Sequence, residues 1–141
     1  MKYITYSDLC DDIRNNLVKI PKDICGVIGV PRSGMLPATI ISEYLNIGLA
    51  TIDDFIVNGI DSFNKHGNRR LKTINTNKIL VIDDTCYNGN EINKNRIKLQ
   101  KYSDFEFIFL VVYMEGSGII SQPDIYLKDI REEARKSEIG I

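Results

Sequence analysis

Tryptophan is absent from the 141 residues, histidine occurs once (His66), and the three cysteines, Cys10, Cys25 and Cys86, form no CxxC pair. A single histidine excludes any site built on two histidine ligands, the HExxH helix included. Three scattered cysteines argue against a disulfide scaffold or a cysteine zinc site and fit a reducing cytoplasm. Neither sign of charge dominates: 18 basic and 19 acidic residues leave a formal net charge of −1. Broad electrostatic capture of nucleic acid or of an anionic membrane is therefore not expected. No apolar run approaches the roughly 20 residues of a membrane span, and the opening MKYITYSDLCDDIRNN lacks the apolar core of a signal peptide. The expected location is the cytoplasm. Repeats, low-complexity stretches and Pro/Gly/Ser linkers are also missing, so residues 1–141 read as one domain.

What is present is ordinary for a globular chain, 43% apolar and 26% charged. A helix is predicted from Ser7 to Lys19, where Ser7 and Asp8 offer a cap and Leu9, Ile13 and Leu17 recur on one face. Ile24–Val30 is short, apolar and β-branched, which predicts a buried strand, and PRSG (Pro31–Gly34) leads from it into an amphipathic helix, Met35–Leu45. Asn46 and Gly48 stop that helix, and Leu49–Ile52 reads as a second strand. The polar segment Asp53–Asn77, with the basic cluster Lys65, His66, Arg69, Arg70 and Lys72, reads as a long loop or irregular hairpin. Lys78–Asp83 gives the strongest strand, followed by a helix near Asn90–Gln100, a strand at Phe105–Met114, the loop EGSG and a last short strand in QPDIYLKDI. This alternation predicts an α/β fold: an open, mostly parallel sheet with helices on both faces. Ligands of such sheets bind at the carboxyl ends of the strands, where PRSG, DDTCYNGN and EGSG all fall.

Asp83 and Asp84 end a buried strand as adjacent carboxylates, an arrangement costly in repulsion and desolvation. A hard divalent cation or a sugar diol would offset that cost, while a solvated, capping turn would avoid it. Asn88-Gly89-Asn90 leads directly into a helix, so backbone N–H groups beside a positive helix end offer a phosphate site. PRSG supplies a second anion candidate. Arg32 carries a permanent charge, Ser33 can cap the next helix, and Gly34 would let backbone approach a ligand closely.

GVIGVPRSGM followed by KILVIDDTCYNGNEI resembles the type I phosphoribosyltransferases over roughly Ile24 to Leu127. The resemblance implies that family's open parallel sheet with a flexible hood loop, and pentosyl transfer from phosphoribosyl pyrophosphate with magnesium and release of pyrophosphate. Asp83 and Asp84 would hold the ribose hydroxyls and the metal. Thr85, Cys86, Tyr87, Asn88, Gly89, Asn90 and Glu91 would form the 5′-phosphate loop. Arg32, Ser33 and Gly34 would form the pyrophosphate loop, with a cis peptide between Arg32 and Ser33. Lys65, His66, Arg69 and Arg70 would lie in the hood.

Departures from that pattern narrow the expectation. Asn88 and Glu91 replace the family's two threonines, and a carboxylate about 4 Å from a phosphate costs on the order of 4 kcal/mol at an effective dielectric near 20. Alternatively, Glu91 faces solvent and suits the helix start. Tyr87 stands where 6-oxopurine enzymes carry an acid, and PDIYLKDI lacks the longer tail that reads a purine. The expected acceptor is thus a small molecule or glycan precursor other than a purine, as in the small polysaccharide-associated proteins of this kind. A homodimer is compatible with the sequence; nucleic acid is not an expected partner. A catalytically inactive member that binds or senses a ribose phosphate is the alternative. KILVIDD also resembles the acid pocket of response-regulator receivers, but a pair at position 83 leaves too little chain for the strands that should follow. Cys86 and the other cysteines read as small apolar residues and His66 as a solvated loop residue.

Overall fold

The structure is a computed structural model that describes residues 4–64 and 75–133. Its first helix, α1, is Tyr6–Arg14, shorter than expected and capped two residues earlier, by Thr5. The Thr5 hydroxyl accepts from the Asp8 N–H, while the Asp8 carboxylate accepts from the Thr5 N–H, a reciprocal pair that satisfies two otherwise orphaned donors. Ser7 therefore lies inside the helix and does not cap it. After Asn15 the chain leaves the α-helix and makes a separate 3₁₀ turn at Leu17–Lys19.

Strand β1 (Gly26–Gly29), helix α2 (Met35–Leu45) and strand β2 (Leu49–Thr51) follow the predicted pattern. Asn46 ends α2 in the left-handed conformation, φ 56°, which short polar side chains tolerate. The expected irregular loop from Asp53 is instead helical over its first part. Helix α3 is Ile52–Asn58, capped by the Thr51 hydroxyl, and a 3₁₀ segment continues through Gly59–Asn64. Tertiary packing explains the difference. Phe55 is fully buried and meets the rings of Phe63, Tyr102, Phe105 and Phe107 at centroid distances of 5.4–5.8 Å. Burying one such ring contributes about 2–3 kcal/mol, enough to overrule a polar local sequence. The basic cluster Lys65, His66, Arg69, Arg70 and Lys72, the part of the expected hood within Asp53–Asn77 that would meet pyrophosphate, lies outside the described residues.

Strand β3 (Lys78–Cys86), helix α4 (Asn90–Leu99), strand β4 (Glu106–Met114) and strand β5 (Ile125–Asp129) complete the order β2-β1-β3-β4-β5, with every neighbouring pair parallel. Strands buried on both faces read as continuous apolar runs, as Ile79–Ile82 and Phe109–Met114 do. One face packs α1 and α2 through Leu9, Ile13, Ala38, Ile41 and Leu45; the other packs α3 and α4 through Ile52, Phe55, Ile92 and Leu99. β3 runs three residues beyond its predicted end, because β4 continues to pair with it at Thr85↔Tyr113 and Cys86↔Met114. Chain order reverses between β1 and β3. In open α/β sheets, that switch point is where the strand ends leave a crevice. Among the described residues, no helix is long and apolar enough to cross a membrane.

Candidate functional site

The register Gly29↔Ile82 places the loop after β1 beside the acids of β3. The Val30 N–H donates to the Ile82 carbonyl at 3.0 Å, and the Gly34 N–H returns to the Val30 carbonyl at 2.9 Å, closing PRSG as a tight turn on the strand end. Gly34 is needed for this contact. A Cβ there would stand 2.5 Å from the Val30 carbonyl oxygen, 2.7 Å from that of Ile82 and 3.0 Å from the Asp83 Cα. Its small size thus admits the neighbouring strand. The cis peptide of this loop lies between Pro31 and Arg32, one bond before the expected position.

The two loops touch. The Ser33 hydroxyl donates to Asp84 Oδ1 at 3.0 Å across 51 residues of sequence. The same Oδ1 accepts from the Thr85 N–H, and Asp83 Oδ1 accepts from the Asp84 N–H, each at 2.8 Å. Burial raises the Asp83 carboxyl to about 7, helped by a hydrogen bond to the Asp84 side chain and by the charges of Asp84 and Glu91. Glu91 is exposed, and its charge acts on Asp83.

Asn88 makes an Asx turn, its Oδ1 accepting from the Asn90 N–H at 2.9 Å. Gly89 caps α4 at φ 87° and has no side chain to offer the helix. The N–H groups of Glu91 and Ile92, which the first turn of a helix leaves without an internal acceptor, therefore face outward beside the positive helix end. Ser33, Asp83, Asp84, Thr85, Tyr87 and Asn88–Ile92 line a cleft of about 250 Å³ around these donors. Cys86 also borders it but is buried in the α3/α4 core, where burial first and the Asp83 charge second push its thiol up. It is a poor nucleophile there.

Arg32 reaches a second groove of about 360 Å³ that it shares with Ser33, Asp84 and Thr85 and with apolar Ile4, Leu9, Leu36 and Pro37. On the opposite side of β3, a wide cleft of about 850 Å³ is lined by Tyr87, Asn88, Glu115, Gly116, Asp129 and Arg131. The sequence placed EGSG at this edge but did not indicate its part in the site: residues 115–120 hold the backbone of 86–88. The N–H groups of Glu115 and Gly116 donate to the Cys86 carbonyl, that of Gly118 to Tyr87 and that of Ile120 to Asn88, at 2.8–3.1 Å. Only the glycine pattern could have signalled this. Gly116 abuts the Tyr87 carbonyl and Gly89 the Ser121 backbone, with no room for a Cβ at either.

No family model matches the chain, and no curated protein matches it in sequence. Solved structures do match. The purine phosphoribosyltransferase of Pyrococcus horikoshii Ot3 superposes with a TM-score of 0.64 at 18% identity, over 90% of this chain and 85% of that one. The xanthine-guanine-hypoxanthine phosphoribosyltransferase of Helicobacter pylori gives 0.61 at 20% identity, over 91% and 86%. The orotate phosphoribosyltransferase of Aeropyrum pernix gives 0.61 at 16%, over 96% and 76%. At these identities the likeness establishes the fold, which is that of the type I phosphoribosyltransferases.

Proposed function

We propose that this chain is a phosphoribosyltransferase that takes its 5-phosphoribosyl group from phosphoribosyl pyrophosphate and delivers it to an acceptor other than a purine. The observation that carries this reading is the meeting of two anion-suited loops at one switch point, with Ser33 hydrogen-bonded to Asp84. Asp83 and Asp84 suit the ribose diol, the open amides of Glu91 and Ile92 suit the 5′-phosphate, and Arg32 suits pyrophosphate. A magnesium ion fits this donor set: two carboxylates at one strand end, one of them raised to about 7, with the remaining positions left to donor oxygens and water. Such an ion would neutralise charge on the departing pyrophosphate.

The sheet orders the chemistry. Arg32 lies at the β1 end, the acids at the β3 end, and the wide cleft at the β4 and β5 ends. The C1–oxygen bond to pyrophosphate would break toward Arg32, and the acceptor would enter from the Tyr87 side. Its bond to C1 would form there as its proton passes to water or to the departing pyrophosphate. The chain's own contribution is to hold the diol and phosphate and so position C1 between the two. Tyr87, 59% exposed, gives that entrance an aromatic surface instead of an acid, which favours an acceptor that is not a 6-oxopurine. Arg69 and Arg70 belong to the proposal as basic partners of pyrophosphate. A polysaccharide precursor as acceptor, a cytoplasmic location and a homodimer belong to it too.

One observation favours the second reading, a ribose-phosphate binder without turnover: Glu91 brings negative charge to the phosphate cleft. Calorimetric titration with phosphoribosyl pyrophosphate and magnesium, followed by a pyrophosphate-release assay with candidate acceptors, separates the two. Binding with release supports the enzyme, binding without release supports the sensor, and no binding at millimolar donor overturns both.

A further inference from the structure

We propose that Arg96, which lines none of the three clefts described above, is a positioning residue that sets the shape of the 86–91 loop from behind. The inference rests on reading that loop as the phosphate cradle. Three consecutive carbonyls, those of Cys86, Tyr87 and Asn88, are bound by N–H groups of residues 115–120. In a trans peptide the N–H points opposite to the preceding carbonyl, so this pairing turns the amides of Tyr87 and Asn88 away from the supporting loop. The supporting loop needs an anchor of its own, and it has one. From α4, the Arg96 guanidinium donates to the Ser121 hydroxyl and, at 3.3 Å, to Asp124 Oδ1, while lying 4.9 Å from the Phe109 ring centroid. Asp124 is fixed in turn by the Phe109 N–H at 2.8 Å.

Arg96 thus ties together the helix whose N-terminus opens on the cleft, the loop that supports the cradle and the β4 strand beside it. Ser121 is the critical joint, because its backbone packs directly on Gly89, the cap residue of that helix. A planar guanidinium offers two acceptors a fixed fork while its face lies on a ring, a geometry that the compact ammonium of lysine reproduces only in part.

The test compares the wild type with Arg96→Ala, Arg96→Lys and Ser121→Ala by two readouts. In amide hydrogen exchange, Gly118 and Ile120 should exchange about tenfold faster in Arg96→Ala and Ser121→Ala, while Val81 and Leu110 in the sheet keep wild-type protection. Affinity for ribose 5-phosphate should fall about tenfold in both variants and partly recover in Arg96→Lys, with affinity for magnesium pyrophosphate unchanged. Unchanged exchange at Gly118 and Ile120 overturns the proposal. So does equal acceleration of the sheet amides, or equal weakening of both ligands, since either marks a general loss of stability. A wild type that fails to bind ribose 5-phosphate removes the cradle reading instead, and exchange alone then decides whether Arg96 positions the loop.

Discussion

Replacing Asp83 by Asn should stabilise the protein at pH 8 and change it little near pH 4. In the fold the Asp83 carboxyl is raised from 3.8 to about 7, chiefly by burial. Between those values the folded state keeps a proton that the unfolded chain has released, so stability falls as pH rises through the interval and levels off above it. Each unit corresponds to about 1.4 kcal/mol, giving an upper bound of about 4 kcal/mol for the full interval. Water reaches the half-buried carboxyl through the open cleft and screens part of this, leaving about 2 kcal/mol. Asn retains the oxygen that accepts from the Asp84 N–H, so that hydrogen bond survives while the charge is removed. For a chain of this size the gain appears as a rise in Tm of about 6 °C at pH 8. Thermal unfolding of wild type and variant from pH 4 to 8, in chelator, measures the difference directly. A difference that is flat with pH, or a variant less stable at pH 8, would refute the reasoning.

Gly34→Ala should cost about 2 kcal/mol or more in urea unfolding, because its Cβ would meet the Val30 and Ile82 carbonyls, backbone that cannot step aside. Glu91→Thr should tighten ribose 5-phosphate binding about fivefold by titration calorimetry, the modest gain expected from removing one exposed like charge; unchanged or weaker binding would place the phosphate elsewhere. Tyr113→Phe should destabilise the protein by about 1–2 kcal/mol at pH 7, because the Tyr113 hydroxyl donates to Asp12 Oδ2 at 2.6 Å between β4 and α1; a variant as stable as wild type would show that bond to be immaterial.

The sheet was legible because a parallel strand buried on both faces writes itself as an apolar run, and Ile24–Val30, Lys78–Asp83 and Phe105–Met114 all do. Met35–Leu45 was legible to the residue because Asn46 stops it, although its cap residue is Gly34 and not the expected Ser33, whose hydroxyl goes to Asp84 instead. The meeting of PRSG with Asp84 followed from the switch-point rule. Long-range packing was not legible. Nothing local to residues 52–64 shows that Phe55 and Phe63 will join an aromatic cluster completed by Tyr102, Phe105 and Phe107. The size of the Asp83 shift was not legible either, since the burial behind it is set by how the elements around the strand end pack. Nor does sequence reveal that EGSG supports the neighbouring loop, because the hydrogen bonds involved are backbone to backbone and carry no side-chain signature.

Mapping amide chemical shifts while titrating in phosphoribosyl pyrophosphate with magnesium tests the central claim most directly, that the β1 and β3 loops form one site. The account predicts concerted, saturable shifts at Ser33, Gly34, Asp84 and Asn88–Ile92, lost together in an Asp83→Asn/Asp84→Asn double variant. Shifts confined to one loop, or none at the switch point at millimolar ligand, would contradict it.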